Sequence, residues 1–340
     1  GMKKSILVIF VLGTVFFLLP ETVVFKAEAM DLFGSVFGQK SRFEKTIIQE
    51  KTPEPLVVES RAKTAGYQPI PLPGIGIYAV PTAHAAIIID VGSGNILFEQ
   101  KAHDQRQIAS LTKIFSALLV AENVKDFDEP VTITEEALDV DGTKVGCPNS
   151  GVCPGNRLVL GEQVSVRNLL KASLMNSTND AITALGIHVS GSADAFTALM
   201  NRRAKELGLT DSHFCTPSGL EIDGHETECY SSAHDIARIT AIALNYPALW
   251  DIMRIQSETI TSVDGVHSHD IVNTNRLLGQ IPNLLGTKTG FTPLAGYSLL
   301  AAVSDNTGER KVVAVVLDDQ ERWGSITSMF DWTFQTHEWR

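Results

Sequence analysis

Three kinds of short motif carry the residue types that acyl transfer through a serine requires. Ser-x-x-Lys occurs at Ser60-Arg61-Ala62-Lys63 and at Ser110-Leu111-Thr112-Lys113, Ser-x-Asn at Ser177-Thr178-Asn179 and Ser304-Asp305-Asn306, and Lys288-Thr289-Gly290 once. A serine hydroxyl is a weak nucleophile until a base takes its proton. On a helix, a lysine three residues further on is a neighbour and can reach it. Lysine is a base only when neutral, and a helix N-terminus, a second cation and burial each push its pKa down. Lys288 is the candidate for that second cation. Alone, Ser-x-x-Lys reads better as a helix cap followed by a solvated lysine; the three motifs together, in order, reverse that. Roughly one such match is expected by chance in a chain this long, against roughly 0.1 for Lys-Thr-Gly.

The elements around each motif separate the copies. Ser60 lies where six of the fourteen prolines crowd between Pro53 and Pro81, a semi-extended stalk that cannot hold a nucleophile rigid. Ser304-Asp305-Asn306 is ordinary turn chemistry between the apolar strands GYSLLAAVS and KVVAVVLD. Ser110 instead opens an apolar helical pattern running to about Glu122, and Ser177 sits in a break between helical patterns near 165–175 and 179–190. Lys288-Thr289-Gly290 closes the apolar stretch NLLGTKTG. Further helical patterns cover about 193–207, 233–246 and 319–336. AAIIIDV and NILFEQ flank Gly92-Ser93-Gly94 as a hairpin. Strands at both ends with helices between predict an α/β (α+β) domain over 81–338, with one antiparallel sheet built from both chain ends and flanked by helices.

These motifs, in this order, resemble those of the penicillin-binding serine acyltransferases, and most closely the low-molecular-mass D-alanyl-D-alanine carboxypeptidases. The likeness extends to AAIIIDVGSGNILFEQKAHDQRQIASLTK, GEQVSVRNLLKASLMNSTNDA, FCTPSGLEIDG, NTNRLL and GTKTGFTPLAGYSLLAA, about residues 80–336. It implies a β-lactamase/transpeptidase-like fold with a helical subdomain. It implies that Ser110 is the nucleophile, Lys113 its base, Ser177 a proton relay to the leaving amine, and Asn179 a contact to Lys113 and to the substrate backbone. Lys288 and Thr289 would bind the substrate carboxylate. Gly290 and Phe291 continue that strand, and the N–H groups of Ser110 and Phe291 would form an oxyanion hole. Peptidoglycan peptide is the implied substrate, β-lactams are covalent inhibitors, and no cofactor or metal is needed. D,D-endopeptidase action on cross-links is the alternative, suggested by a chain that stops soon after the catalytic domain. A non-catalytic sensor is disfavoured by the intact Ser110, Lys113, Ser177 and Lys288. A class A β-lactamase is disfavoured by the lack of Glu-x-x-Leu-Asn between Asn179 and Lys288.

The N-terminus points to the compartment. Gly1 precedes Met2 and is read as a non-native addition. Lys3 and Lys4 precede an apolar run from Ile6 to Leu19, and Ala27-Glu28-Ala29 follows. The run is short of the ~20 residues of a membrane span and fits a secretory signal cleaved after Ala29. An uncleaved signal anchor, the one expected membrane contact, is the alternative. Residues 1–29 are thus expected to be a signal or anchor, 30–80 a stalk, and the body exported. A net charge of −11 argues against a nucleic-acid partner. In an exported chain, Cys147 with Cys153 and Cys215 with Cys229 are expected as two local disulfides. Zinc at the second pair, helped by His213 and His225, lacks any Cys-x-x-Cys or His-Glu-x-x-His spacing. His267-Ser268-His269 is read as a solvated loop rather than a metal site. Arg322 could reach the cleft as an extra carboxylate ligand, with a surface arginine as the alternative.

Overall fold

The computed structural model describes residues 67–147, 153 and 155–340. The expected signal or anchor over 1–29, the stalk over 30–66 and Ser60 lie outside the described residues. Strand β1 (Pro69–Pro71) comes first, followed by the hairpin of β2 (Ala83–Asp90) and β3 (Ile96–Gln100). A 3₁₀ turn, Ala109–Leu111, runs directly into α1 (Thr112–Asn123). Then come β4 (Pro130–Thr132), α2 (Glu135–Leu138) and β5 (Gln163–Ser165). Helices α3 (Val166–Met175), α4 (Asn179–Ser190), α5 (Ala193–Glu206), α6 (Ala233–Ala243) and α7 (Pro247–Met253) follow. A second hairpin, β6 (Ser257–Thr261) and β7 (Ser268–Val272), precedes β8 (Leu284–Thr292), β9 (Gly296–Ser304) and β10 (Lys311–Asp319). The chain ends with α8 (Arg322–Thr336) and β11 (His337–Trp339).

The main sheet has the order β3-β2-β10-β9-β8 with antiparallel neighbours, so both ends of the chain build it, as expected. Its central strands are apolar through their middle because both faces are covered there. Ala85, Ile87 and Ile89 of β2 enter one core with α1, α3, α4 and α6. Ala86 and Ile88, pointing the other way, enter a second core with Ile326, Met329 and Phe330 of α8. The same split runs through β10, with Val313 and Val315 on one face and Val312, Ala314 and Val316 on the other. Strand periodicity thus produces two cores from one sheet.

Local chemistry starts the helices where the sequence breaks. Ser165, Ser192 and Ser232 each accept a hydrogen bond from the backbone N–H three residues on, capping α3, α5 and α6. Pro247 occupies the first turn of α7. Of the stretch read as stalk, residues 67–80 are described, and they lie on the domain. Pro69–Pro71 pairs antiparallel with His337–Trp339, and Val80 is buried in the second core. Proline is tolerated there because this two-stranded ribbon is all edge.

Candidate active site

The 3₁₀ turn sets the first contact. With three residues per turn, i and i+3 eclipse, and Lys113 Nζ lies 2.8 Å from Ser110 Oγ. Lys113 is fully buried, and two carbonyl-type oxygens complete its surroundings: Asn179 Oδ1 at 2.7 Å and the Ser218 backbone oxygen at 3.0 Å. Burial, then the charge of Lys288, hold its pKa well below the ordinary lysine value, against an opposing pull from Asp180.

Asn179 opens α4 and is gripped from three sides. Its backbone N–H donates to Thr143 O (2.7 Å), its Nδ2 donates to Asp141 O (2.7 Å), and its Oδ1 faces Lys113. One of the two Nδ2 hydrogens is therefore engaged with Asp141. Ser177 stands two residues earlier in the left-handed region (φ 64°), a backbone strain often found at functional positions. Its Oγ accepts a hydrogen bond from Lys288 Nζ at 2.9 Å. Lys288 also donates to Thr289 O at 3.0 Å, and Thr289 Oγ1 lies 3.1 Å from Thr274 Oγ1. Burial, then the charge of Arg322, lower the Lys288 pKa to about 7.

Strand β8 carries Lys288, Thr289, Gly290 and Phe291 along the Ser110 turn. The approach is so close that a Cβ on Gly290 would sit 2.7 Å from Ile108 O. Arg322 donates to Gly290 O (3.0 Å) and Ser298 O (3.1 Å) and stacks over Tyr297, bracing β8 and β9 from behind. It is thus neither an exposed arginine nor a free cleft cation. Phe291 is half exposed and stacks on Tyr297, with ring centroids 4.5 Å apart. A cleft of about 410 Å³ opens on Ser110 between Asn179, Gly219, Glu221 and Phe291. A larger depression of about 600 Å³, lined by Tyr78, Trp323 and Trp332, holds none of these residues.

Two features escaped the sequence reading. Ser218 O is a backbone acceptor, so no residue type announces it; the quoted FCTPSGL stretch was its only signal. Pro217 O accepts from Ser116 Oγ (2.7 Å), and Thr216 Oγ1 donates to Leu220 O (2.9 Å), which fixes the loop. Asp180 is buried beneath the site and accepts from the N–H groups of Val145 (3.0 Å) and Ala181 (2.9 Å). Burial raises its pKa to about 6 despite those bonds.

Cys147 and Cys153, and Cys215 and Cys229, lie at disulfide distance. The zinc set considered at the second pair is thereby not assembled. His269 is not in a solvated loop: it is buried on β7, with Nε2 2.8 Å from Glu162 Oε1 and Nδ1 2.8 Å from Asn156 O. The alternation of His267-Ser268-His269 signalled that strand.

A serine on a tight turn, a sealed lysine beside it and a second lysine on the adjacent sheet edge are the layout of serine hydrolases that use lysine as base. Residues 79–321 match the family model described as D-alanyl-D-alanine carboxypeptidase, peptidase family S11, and the chain belongs to that family. It is 32% identical over 273 residues to the D-alanyl-D-alanine carboxypeptidase DacF of Bacillus subtilis, covering 75% of this chain and 63% of that one. The chain thus spans less than two thirds of that relative's length. A D-alanyl-D-alanine endopeptidase of Pseudomonas aeruginosa is 28% identical over 277 residues, covering 81% of this chain and 82% of that protein. Among solved structures, ampicillin-bound penicillin-binding protein D2 of Listeria monocytogenes aligns with TM-score 0.62 and 30% identity, over 76% of this chain and 99% of that one. The fold is thus that of the penicillin-binding proteins, as the sequence motifs led one to expect.

Proposed function

We propose that the chain removes the terminal D-alanine from peptidoglycan stem peptides through an acyl-enzyme on Ser110. The observation that carries this reading is the environment of Lys113. A lysine cation needs three acceptors, whereas a neutral amine has two hydrogens and one lone pair. Lys113 has two carbonyl-type acceptors, Asn179 Oδ1 and Ser218 O, and one hydroxyl, Ser110. A neutral Lys113 donates to the two oxygens and keeps its lone pair for the Ser110 proton. Its depressed pKa supports the same state.

Ser110 Oγ then attacks the carbonyl between the last two D-alanines, and its proton passes to Lys113. The N–H groups of Ser110 and Phe291 receive the developing oxyanion. Lys288 donates to Ser177 Oγ, which leaves the Ser177 hydrogen free to turn toward the leaving amine. As cation, Lys288 holds the terminal carboxylate together with Thr289. Water releases the acyl group, and β-lactams acylate Ser110 in the same way. No cofactor enters this scheme. The body works outside the cytoplasm, in keeping with the N-terminal pattern and with disulfides between the paired cysteines. Among the described residues no helix is long and apolar enough to cross a membrane. Membrane contact in this reading is through the N-terminal segment, if it remains uncleaved.

One incubation tests the reading. The chain is mixed with a fluorescent penicillin and with N-acyl-Lys-D-Ala-D-Ala. Covalent label and D-alanine release, both lost in Ser110→Ala, are the expected result; a folded wild type that takes no label overturns it. The likeness to the Pseudomonas endopeptidase favours cross-link cleavage as a second reading. Release from cross-linked dimers but not from pentapeptides would select it.

A further inference from the structure

Outside the cleft, three chain segments bring two imidazoles and a carboxylate together. His103 leaves the β2–β3 hairpin, Asp211 follows α5, and His234 stands in the first turn of α6. Their ligand atoms all lie within 4.8 Å of one another, the one such grouping among the described residues. His103 Nδ1 is 2.7 Å from Asp211 Oδ2, and the His103 and His234 rings lie 4.3 Å apart. We propose that His103, Asp211 and His234 form a binding site for a divalent transition metal, with zinc as its first occupant and water as its fourth ligand.

The donor set and its supports argue for this. Two imidazole nitrogens and one carboxylate oxygen, with a position left for water, are a common zinc complement. Imidazole selects against calcium and magnesium, which prefer oxygen. A tetrahedral zinc wants its ligands roughly 3.3 Å apart, at bond lengths of about 2 Å. The trio must therefore close slightly, and the His103 side chain, 58% exposed, is free to turn. The other two ligands are already oriented. His234 Nδ1 lies 3.2 Å from Asp235 Oδ1, which leaves Nε2 for a metal, the carboxylate–histidine arrangement that aims metal ligands. Asp235 is itself buried, and its Oδ2 accepts from Asp211 N–H (2.9 Å) and Ser212 Oγ (2.8 Å). Ser232 Oγ donates to Asp211 Oδ2 at 3.2 Å. The carboxylates of Asp211 and Asp235 also offset the positive end of α6 that a cation would meet.

The site would act as a clamp. His234 N–H donates to Ala102 O (2.9 Å), and Arg106 and Ser231 exchange backbone bonds of 2.8 and 2.9 Å. A metal here ties α6 to the segment that delivers the Ser110 turn.

The full chain, stripped with chelator and desalted, is titrated calorimetrically with zinc chloride at pH 7.5, and its melting temperature is followed in parallel. One equivalent binds and raises the melting temperature, because a ligand that binds the folded state stabilises it. His103→Ala and His234→Ala each weaken binding by about tenfold or more. His225→Ala, at an exposed histidine elsewhere, leaves the affinity unchanged. Metal-free melting temperatures report whether each variant is folded, and exposed His103 makes its variant the safe one. A wild type that takes up no zinc, or a folded His103→Ala that binds as tightly as wild type, overturns the proposal.

Discussion

At the residue scale the proposed reaction gives the two buried lysines opposite duties. Lys113 must be neutral to accept the Ser110 proton, and Lys288 must be charged to hold a carboxylate. Burial lowers both; the charge of Lys288 also lowers Lys113, and that of Arg322 also lowers Lys288. The signs then give a bell-shaped pH profile. Activity rises as pH passes the depressed pKa of Lys113 and falls as Lys288 loses its proton near pH 7. The profile of kcat/KM reports the free enzyme and carries that falling limb. In the complex the substrate carboxylate favours the cation, so the falling limb of kcat lies at higher pH. Initial rates of D-alanine release from pH 5 to 10 decide it; a flat kcat/KM between pH 6 and 9 contradicts the assignment. Lys113→Ala is expected to lose about 10²–10⁴-fold in acylation rate, the usual share of a general base, while penicillin still docks without reacting.

At the element scale, the proposed reaction depends on how closely the backbones around Ser110 meet. Strand β8 presses on the Ser110 turn at Gly290, where a Cβ would sit 2.7 Å from Ile108 O. Gly290→Ala must push β8 outward, and with it the Phe291 N–H and Lys288. A displacement near 1 Å costs about 10²-fold in rate, so acylation should drop by that order, and the melting temperature should fall as well, because overpacking against backbone costs about 1–3 kcal/mol. Equal rates in variant and wild type would show that the contact does not matter. The start of α4 offers a second handle. The Asp180 carboxylate raises the Lys113 pKa, so Asp180→Asn should lower it further and move the rising limb of the pH profile to lower pH. A limb that stays put would remove Asp180 from the account. The loop that supplies Ser218 O is tied at one end by Cys215, paired with Cys229 across 14 residues. A crosslink of that span is worth about 3 kcal/mol in the chain-entropy model. Cys215→Ser with Cys229→Ser should lose about that much in urea unfolding and also slow acylation, because Ser218 is no longer pinned beside Lys113.

At the scale of the whole molecule, what the sequence disclosed follows the distance over which each signal acts. Ser110 and Lys113 are three residues apart, and the apolar helix after them is local, so both were legible. So were β2, β9 and β10, whose length and apolar composition mark strands covered on both faces. The contacts of Lys113 with Asn179 and Ser218 span 66 and 105 residues, and the second is to a backbone oxygen, so only the resemblance could suggest the first and nothing named the other. The pairing of Pro69–Pro71 with His337–Trp339 joins the two ends of the described chain. The prolines that marked the first segment as a stalk hid it, because strand propensity discounts proline except at edges. This ribbon has its own consequence for stability. Trp339 is 8% exposed and lies beside Arg310, and its Nε1 donates to Asp90 Oδ1 at 2.8 Å. Asp90 is buried, and its Oδ2 also accepts from Ser93 N–H and Oγ, which shapes the β2–β3 turn. Trp339→Ala removes a large buried ring and leaves Asp90 Oδ1 without its donor. The expected cost is about 3–5 kcal/mol, the usual range for a buried tryptophan truncated to alanine. Ser110, Lys113 and Lys288 do not touch this corner, so the folded variant should still take up penicillin at the wild-type rate at low temperature. Urea unfolding with a parallel acylation assay separates the two effects. An unchanged midpoint would mean that the terminal ribbon merely lies on the domain, whereas a lowered midpoint with intact acylation makes it the clasp that closes the sheet.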